Sequence, residues 1–240
     1  MPNLLLPSAL ELISVHLPKT AGSTFGKLIL PQVYPPDTNI LYDYDNLPIN
    51  TLIQQHKLTT ETRIIHGHFP AEKYHEYYPN AKIIIWLRNP INLLISSYHF
   101  WMSVTDKFFD YNHRYVIEHK LSFADFISHD FTHNIISNHF AKAMKLTDFY
   151  FVGIQEFFRD DLNDLKKKLG WPTIKVKVAN RNSYDNYQDK VMDILNNKSL
   201  IKKIVALNSR DMNLYNEALT LRTERKGLSN CIEMYKLSLK

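Results

Sequence analysis

Three stretches of this 240-residue chain carry residues whose types and spacing could do chemistry. The first is "HLPKTAGSTF", residues 16–25, which follows a short apolar run. A strand, a tight loop and then a helix turn several free backbone N–H groups toward one concave spot, and the helix start adds partial positive charge there. Gly22 lets the backbone approach an anion, Thr20, Ser23 and Thr24 offer hydroxyls, and Lys19 supplies a full charge. The loop reads as an anion cradle. It is not the nucleoside-triphosphate loop G-x-x-x-x-G-K-[ST], because the first glycine and the Gly-Lys pair are missing and Lys19 precedes its glycine. The second stretch is "IIHGHFP", residues 64–70. On a strand, His66 and His68 face the same side, and Gly67 leaves room on the other. A histidine beside an anion site is a natural general base at neutral pH. His-x-His can also supply two zinc ligands, but no cysteine or acidic side chain stands beside it at metal spacing.

A third stretch links to the first. "KIIIWLR" is an unbroken apolar run that ends in Arg88. Open α/β sheets bind ligands at the ends of their strands. A magnesium-dependent phosphoryl-transfer site wants an acidic residue after such a strand; an arginine repels the metal and attracts a second phosphate. Ser96 lies eight residues on, in a helix that opens near Pro90, and helical side chains lean back toward the helix start. The pattern implies an anionic ligand with two phosphate groups and no bound magnesium.

Five apolar runs can position these residues as strands: "LELISVHL", "TNILYDY", "TRIIHGHF", "KIIIWLR" and "DFYFVGI". Between them lie a helix from Ser23 to about Leu30, stopped at Pro31, a short helix in "INTLIQQHK", and a helix starting at Pro90. Residues 107–146 read as mainly helical. "QEFFRDDLNDLKKKLG" is an amphipathic helix closed by Gly170, residues 185–225 read as two or three helices, and 226–240 as a tail. Strands alternating with helices predict an α/β fold, a parallel sheet with helices on both faces, in one domain spanning 1–240.

Composition agrees. Hydrophobic residues are 45% and charged residues 22%, ordinary for a globular protein. The net charge of +5 favours an anionic ligand but is spread along the chain, and no nucleic-acid partner is expected. The single cysteine, Cys231, excludes a disulfide framework. No apolar run approaches the ~18 residues of a membrane span, and the first residues lack the basic region of a signal peptide.

Taken together, "PKTAGSTF" and "RNPINLLISSY" resemble the 5′-phosphosulfate loop and the 3′-phosphate motif of sulfotransferases that use 3′-phosphoadenosine-5′-phosphosulfate (PAPS). The likeness is nearest to the carbohydrate branch that includes heparan sulfate and uronyl 2-O-sulfotransferases. "HGH" is similar to that branch's catalytic histidine segment, and "FVGIQEFFRDDLNDLKKKLG" to its VG-x-x-E strand and helix. The resemblance covers residues 12–170 well and the last third weakly. It implies a P-loop-like sheet, PAPS as donor with 3′-phosphoadenosine-5′-phosphate (PAP) as product, and no metal. Thr20, Ala21, Gly22, Ser23 and Thr24 would line the 5′-phosphate, Lys19 would stabilise its leaving oxygen, and Arg88 with Ser96 would hold the 3′-phosphate. It points to His68 as the base, with His66 assisting and Glu72 as the weaker alternative. Arg181 and Ser183 fall where the family closes a loop over the nucleotide. Trp86 and Phe69 are candidates to stack on adenine or a sugar, although aromatics on buried strands are more often core, and His99, Trp101, His113 and Arg114, which follow the 3′-phosphate helix, are candidates to line the acceptor cleft. A sulfuryl group carries less negative charge than a phosphoryl group, so a lysine and backbone amides suffice to stabilise it.

The expectation is an O-sulfotransferase acting on a carbohydrate or other hydroxyl-bearing acceptor, as a cytoplasmic bacterial-type form or a truncated soluble catalytic domain. Two rivals stand beside it: a P-loop kinase with a degenerate loop, and a PAP- or glycan-binding module without turnover. The missing Gly-Lys pair and Arg88 weigh against the first; the presence of both Lys19 and His68 weighs against the second.

Overall fold

The computed structural model describes residues 10–175 and 186–227. Five runs rich in β-branched residues form one sheet: β1 (Leu12–His16), β2 (Ile40–Asp43), β3 (Ile64–Gly67), β4 (Lys82–Leu87) and β5 (Phe151–Ile154). All neighbours pair in parallel, in the order β2-β3-β1-β4-β5. Parallel strands need crossovers, and the intervening helices provide them. The expected α/β sheet and all five expected strands are present, with β1 at the centre.

Side-chain parity divides the core. Ile13, Val15, Ile65, Ile83 and Ile85 pack on one face; Leu12, Ile64, Ile84, Trp86 and Phe151 pack on the other. Ser14, His16 and His66 share parity with Leu12 and Ile64, and Ser14 pairs in register with His66. The second face therefore turns from apolar to polar as the strands run toward their C-terminal ends. Each of these positions forgoes the ~2 kcal/mol that a buried aliphatic side chain would contribute. Sites kept polar at that cost are where function is expected.

The segment after β1 covers this face. It opens as α1 (Gly22–Thr24), widens into a π-helical turn (Phe25–Ile29) and continues as α2 (Leu30–Val33). Phe25, Ile29 and Leu30 bury fully beneath it. Pro31 does not stop this helix, contrary to the sequence expectation. Its ring would press on the Lys27 carbonyl in a regular α-turn. The wide turn, in which Leu30 N–H bonds Phe25 O, absorbs that conflict, and the Gln32 side chain donates to the Leu28 carbonyl.

Two further helices follow the sequence, α3 (Ile49–Gln54) and α5 (Pro90–Ser103), and between them lies a short helix that the sequence reading did not include, α4 (Glu72–His75). Asn89 caps α5 by accepting from Ile91 N and Asn92 N, with Pro90 in the first turn. Residues 107–146 are helical only in pieces, including α6 (Tyr111–Glu118) and α7 (Phe123–Phe126). Then come α8 (Phe158–Leu169), α9 (Tyr187–Asn196), α10 (Lys198–Leu207) and α11 (Ser209–Arg225). In α8, Asp160 and Asp161 lead and Lys166–Lys168 end the helix, matching its dipole.

Charge holds the C-terminal helices to the sheet. Asp161, fully buried, accepts from Ile154 N at 2.9 Å, Arg222 Nε at 2.7 Å and pairs with Arg225 Nη2 at 3.2 Å. Arg225 also donates to Val152 O at 3.0 Å. Removing one partner from such a buried group leaves the others uncompensated. Asp161→Ala should therefore cost ~3 kcal/mol in urea unfolding, whereas a loss below 1 kcal/mol would mean that the contacts of α11 do not depend on this carboxylate.

Candidate active site

The loop after β1 is built from strained backbone. Lys19 and Ala21 both have φ of 65°, a left-handed conformation that side chains disfavour. Alternating handedness turns successive N–H groups to one side and makes an anion-binding hollow. No side chain caps the helix start at Ala21, so its first amides face that hollow. The Thr20 hydroxyl is committed elsewhere: it donates to Leu17 O at 2.8 Å and braces the turn. Thr24 is buried and Ser23 half-buried.

Arg88 fastens the loop from β4. Its Nη1 donates to Lys19 O at 2.8 Å, so two cationic residues share one corner of the sheet. The Lys19 ammonium lies 4.2 Å above the Phe100 ring. Burial first, and then the Arg88 charge, lower the Lys19 pKa to about 8. Burial also lowers the Arg88 pKa, opposed by Glu156 and Tyr187. Arg88 Nε is buried and has no hydrogen-bond partner among the described residues. Glu156 explains the "VGIQE" stretch. Its Oε1 accepts from Asn89 N (3.1 Å) and Asn92 Nδ2 (3.2 Å), and its Oε2 from the Tyr215 hydroxyl (3.3 Å). It thereby fixes the turn that carries Arg88. Ser96 lies inside α5 at 1% exposure.

The histidine pair has a third member that the sequence reading missed. His16 ends β1, stacks on His66 at 5.1 Å and 11°, and lies 4.6 Å from His68. Register could have found it: Ser14 pairs with His66, so His16 falls beside His68 on the same face. Desolvation lowers His16 to about 2 and His66 to about 3. Both stay neutral at ordinary pH. His66 Nδ1 lies 3.0 Å from the Ser14 hydroxyl. The stacked rings hold their nitrogens side by side rather than convergent, and among the described residues no three His, Cys, Asp or Glu side chains form a metal-binding group.

Asp43 steadies His68. Its carbonyl accepts the His68 N–H at 2.8 Å, an approach that a Cβ on Gly67 would block by standing 1.8 Å from that carbonyl. The Asp43 carboxylate takes Lys73 and the Tyr74 hydroxyl (2.8 Å) on Oδ2, while Oδ1 is buried without a partner among the described residues. Burial lowers the His68 pKa and the Asp43 charge works against it. His68 Nε2 and His16 Nδ1 are also buried and unpartnered among the described residues. Such orphaned groups are rare in folded proteins, and here they gather at one sheet edge.

Other expected residues sort differently. Arg181 and Ser183 lie outside the described residues. Glu72, on α4, lines a surface hollow with Asn46, Lys73 and Glu76. Trp86 and Phe69 belong to the core. His113, suggested by sequence as a cleft residue, is buried and satisfied: Nε2 meets Trp101 O at 3.1 Å and Nδ1 accepts from Phe109 N at 3.2 Å.

The residues fit a phosphate-bearing group. Lys19 and Arg88 stand together with a donor left over, beside uncapped helix amides, and only an anion satisfies all three. Gly22 turns out to serve a neighbour too. A Cβ there would stand 1.8 Å from the His16 ring. Gly22→Ala should thus destabilise the protein by ~1–3 kcal/mol through overpacking, and His16→Ala in the same chain should recover most of it in thermal unfolding. Additive losses would separate the two positions.

Residues 12–162 match the sulfotransferase domain family. A search of curated proteins returned no match. Solved structures similar to the chain include a mouse sulfotransferase, SULT7A1, complexed with PAP (16% identity, 77% of this chain and 63% of that one, TM-score 0.38). A sulfotransferase from Alicyclobacillus acidocaldarius has 16% identity over 82% of this chain and 95% of its own, with a TM-score of 0.40. Retinol dehydratase in complex with androsterone and inactive cofactor PAP has 12% identity over 94% and 82%, with a TM-score of 0.33. This chain spans 63% of the length of the mouse protein. With the family match running over more than half of its residues, the chain belongs to the sulfotransferase family.

Proposed function

We propose that this protein transfers a sulfuryl group from PAPS to a hydroxyl of a carbohydrate acceptor, with His68 as general base. The observation that carries the reading is the meeting of Lys19 and Arg88 with a neutral histidine cluster at one sheet edge. PAPS, when bound, supplies the sulfuryl group: the bond from sulfur to its 5′-phosphate oxygen breaks, one to the acceptor oxygen forms, and PAP departs.

The residues divide the work by chemistry. The left-handed loop and uncapped amides suit the 5′-phosphate, with backbone at Ala21 and Gly22 and side chains at Ser23 and Thr24. Lys19 is suited to stabilise negative charge on the leaving oxygen. Arg88 suits the 3′-phosphate, with Ser96 behind it on α5. His68 is kept neutral by burial, so it can accept the proton that the acceptor hydroxyl loses. Asp43 holds its backbone, and its charge favours the imidazolium that results. His16 packs against the base and helps orient its ring, and His66, held by Ser14, stacks on His16 from behind.

Positioned bases contribute about 10²–10⁴-fold to rate. His68→Ala should lower transfer of labelled sulfuryl by ~10³-fold while PAP still binds; unchanged turnover would reject His68 as the base. A second expectation comes from Lys19. Its pKa of about 8 in the free protein must rise when a phosphate arrives. Binding of PAP should then take up part of a proton at pH 8.5, where the phosphates of PAP are already ionised, and affinity should fall as pH climbs past 8. Titration calorimetry in buffers of different ionisation enthalpy reads this directly, and no buffer dependence at pH 8.5 would contradict it.

A further inference from the structure

The sequence offers His99 only as a candidate to line the acceptor cleft, yet its contacts lead to Arg88. Ser96, His99 and Phe100 lie three and four residues apart on α5, so they share one face and lean back toward the helix start, which Arg88 precedes. The upper two then part company. Phe100 carries the Lys19 ammonium at 4.2 Å, on the side of the loop. His99 meets α9 instead, where its ring stands edge-on to Tyr187 at 5.3 Å and 81°. The Tyr187 hydroxyl in turn bonds the Arg88 guanidinium. One ring therefore separates His99 from Arg88, and Ser96 lies one turn below.

This corner is short of an acceptor. His99 Nε2 is buried without a hydrogen-bond partner among the described residues, and so is Arg88 Nε. Buried groups left in this state are rare. Here two of them belong to the neighbours of one tyrosine, and a neutral imidazole can present its N–H at Nε2. The charges that reach the corner narrow the choice. From α9 the Lys190 charge acts on His99 and, after burial, lowers its pKa. The Glu156 carboxylate, whose charge reaches Arg88, is already taken by Asn89, Asn92 and Tyr215. An anion that accepts several hydrogen bonds at once suits such a corner, and a phosphate does so.

We propose that His99 is a further ligand of the 3′-phosphate, held there with Arg88 and Ser96, and that it makes the site prefer a nucleotide bisphosphate over a 5′-monophosphate. The proposal rests on PAPS as donor and deepens that reading. His99 donates from Nε2, Arg88 from its guanidinium and Ser96 from its hydroxyl. The end of β4 and one face of α5 thus close on one phosphate, while the loop after β1 keeps the other.

The test titrates the whole protein by calorimetry with PAP and with adenosine 5′-monophosphate. His99→Ala should weaken PAP about tenfold, the size of one hydrogen bond to a charged group, and leave the monophosphate unchanged. His99→Gln, whose side-chain amide can reach the place of Nε2, should recover most of the loss. In the parent protein the His99 ring resonances, identified by their absence from the spectrum of His99→Gln, should shift with PAP and far less with the monophosphate. A purely structural role would weaken both nucleotides alike. Equal losses for the two, an unchanged PAP affinity in His99→Ala, or ring resonances indifferent to PAP would each overturn the assignment. A parent protein that binds PAP no better than the monophosphate would strike the donor reading itself, a result visible before any variant is made.

Discussion

One contact governs the site: the Arg88 guanidinium donating to the carbonyl of Lys19. It ties the residue that follows β4 to the strained loop after β1 and forces two cations into a partly buried corner. Like charges in low dielectric repel, as the lowered pKa of Lys19 records. The fold tolerates this because Glu156 anchors the turn from beneath and because the loop is braced internally by Thr20. The arrangement is electrostatically incomplete until an anion enters. In the proposed function a phosphate ester supplies what the protein leaves out.

The neighbouring histidines obey the opposite logic. They are kept neutral by burial, in a face of the sheet that is otherwise hydrocarbon. Hydrophobic packing of Phe25, Ile29 and Leu30 excludes water from one end of that face, and the histidines occupy the other. The same helix therefore serves two ends: its start offers amides to an anion and its body desolvates the imidazoles. The wide turn past Phe25 belongs to this compromise, since it lets the helix continue through Pro31 while Gly22 and Gly26 stay close to the rings.

Much of this was legible in the sequence. The five strands are short apolar runs, of which "KIIIWLR" alone is unbroken, and Lys19, Arg88 and the His66–His68 pair stand at or just past their ends. What escaped depends on pairing between distant strands. His16 looked like the last residue of a buried strand, and only the register of β1 with β3 brings it beside His68. Asp43 lay within the expected strand "TNILYDY", but only the pairing of β2 with β3 delivers its carbonyl to His68. Pro31 misled for a different reason: proline forbids a regular α-turn, but not a wider one. His113 misled because a histidine near a candidate cleft is chemically suggestive, whereas its two ring nitrogens are both engaged by backbone.

The central claim is that Lys19 and Arg88 recognise two phosphates on one nucleotide. Calorimetric titration with PAP and with adenosine 5′-monophosphate, at equal ionic strength, tests it most directly. The account predicts that the second phosphate tightens binding by tenfold or more and that Arg88→Ala erases the difference. Equal affinities for the two nucleotides in the parent protein would contradict it.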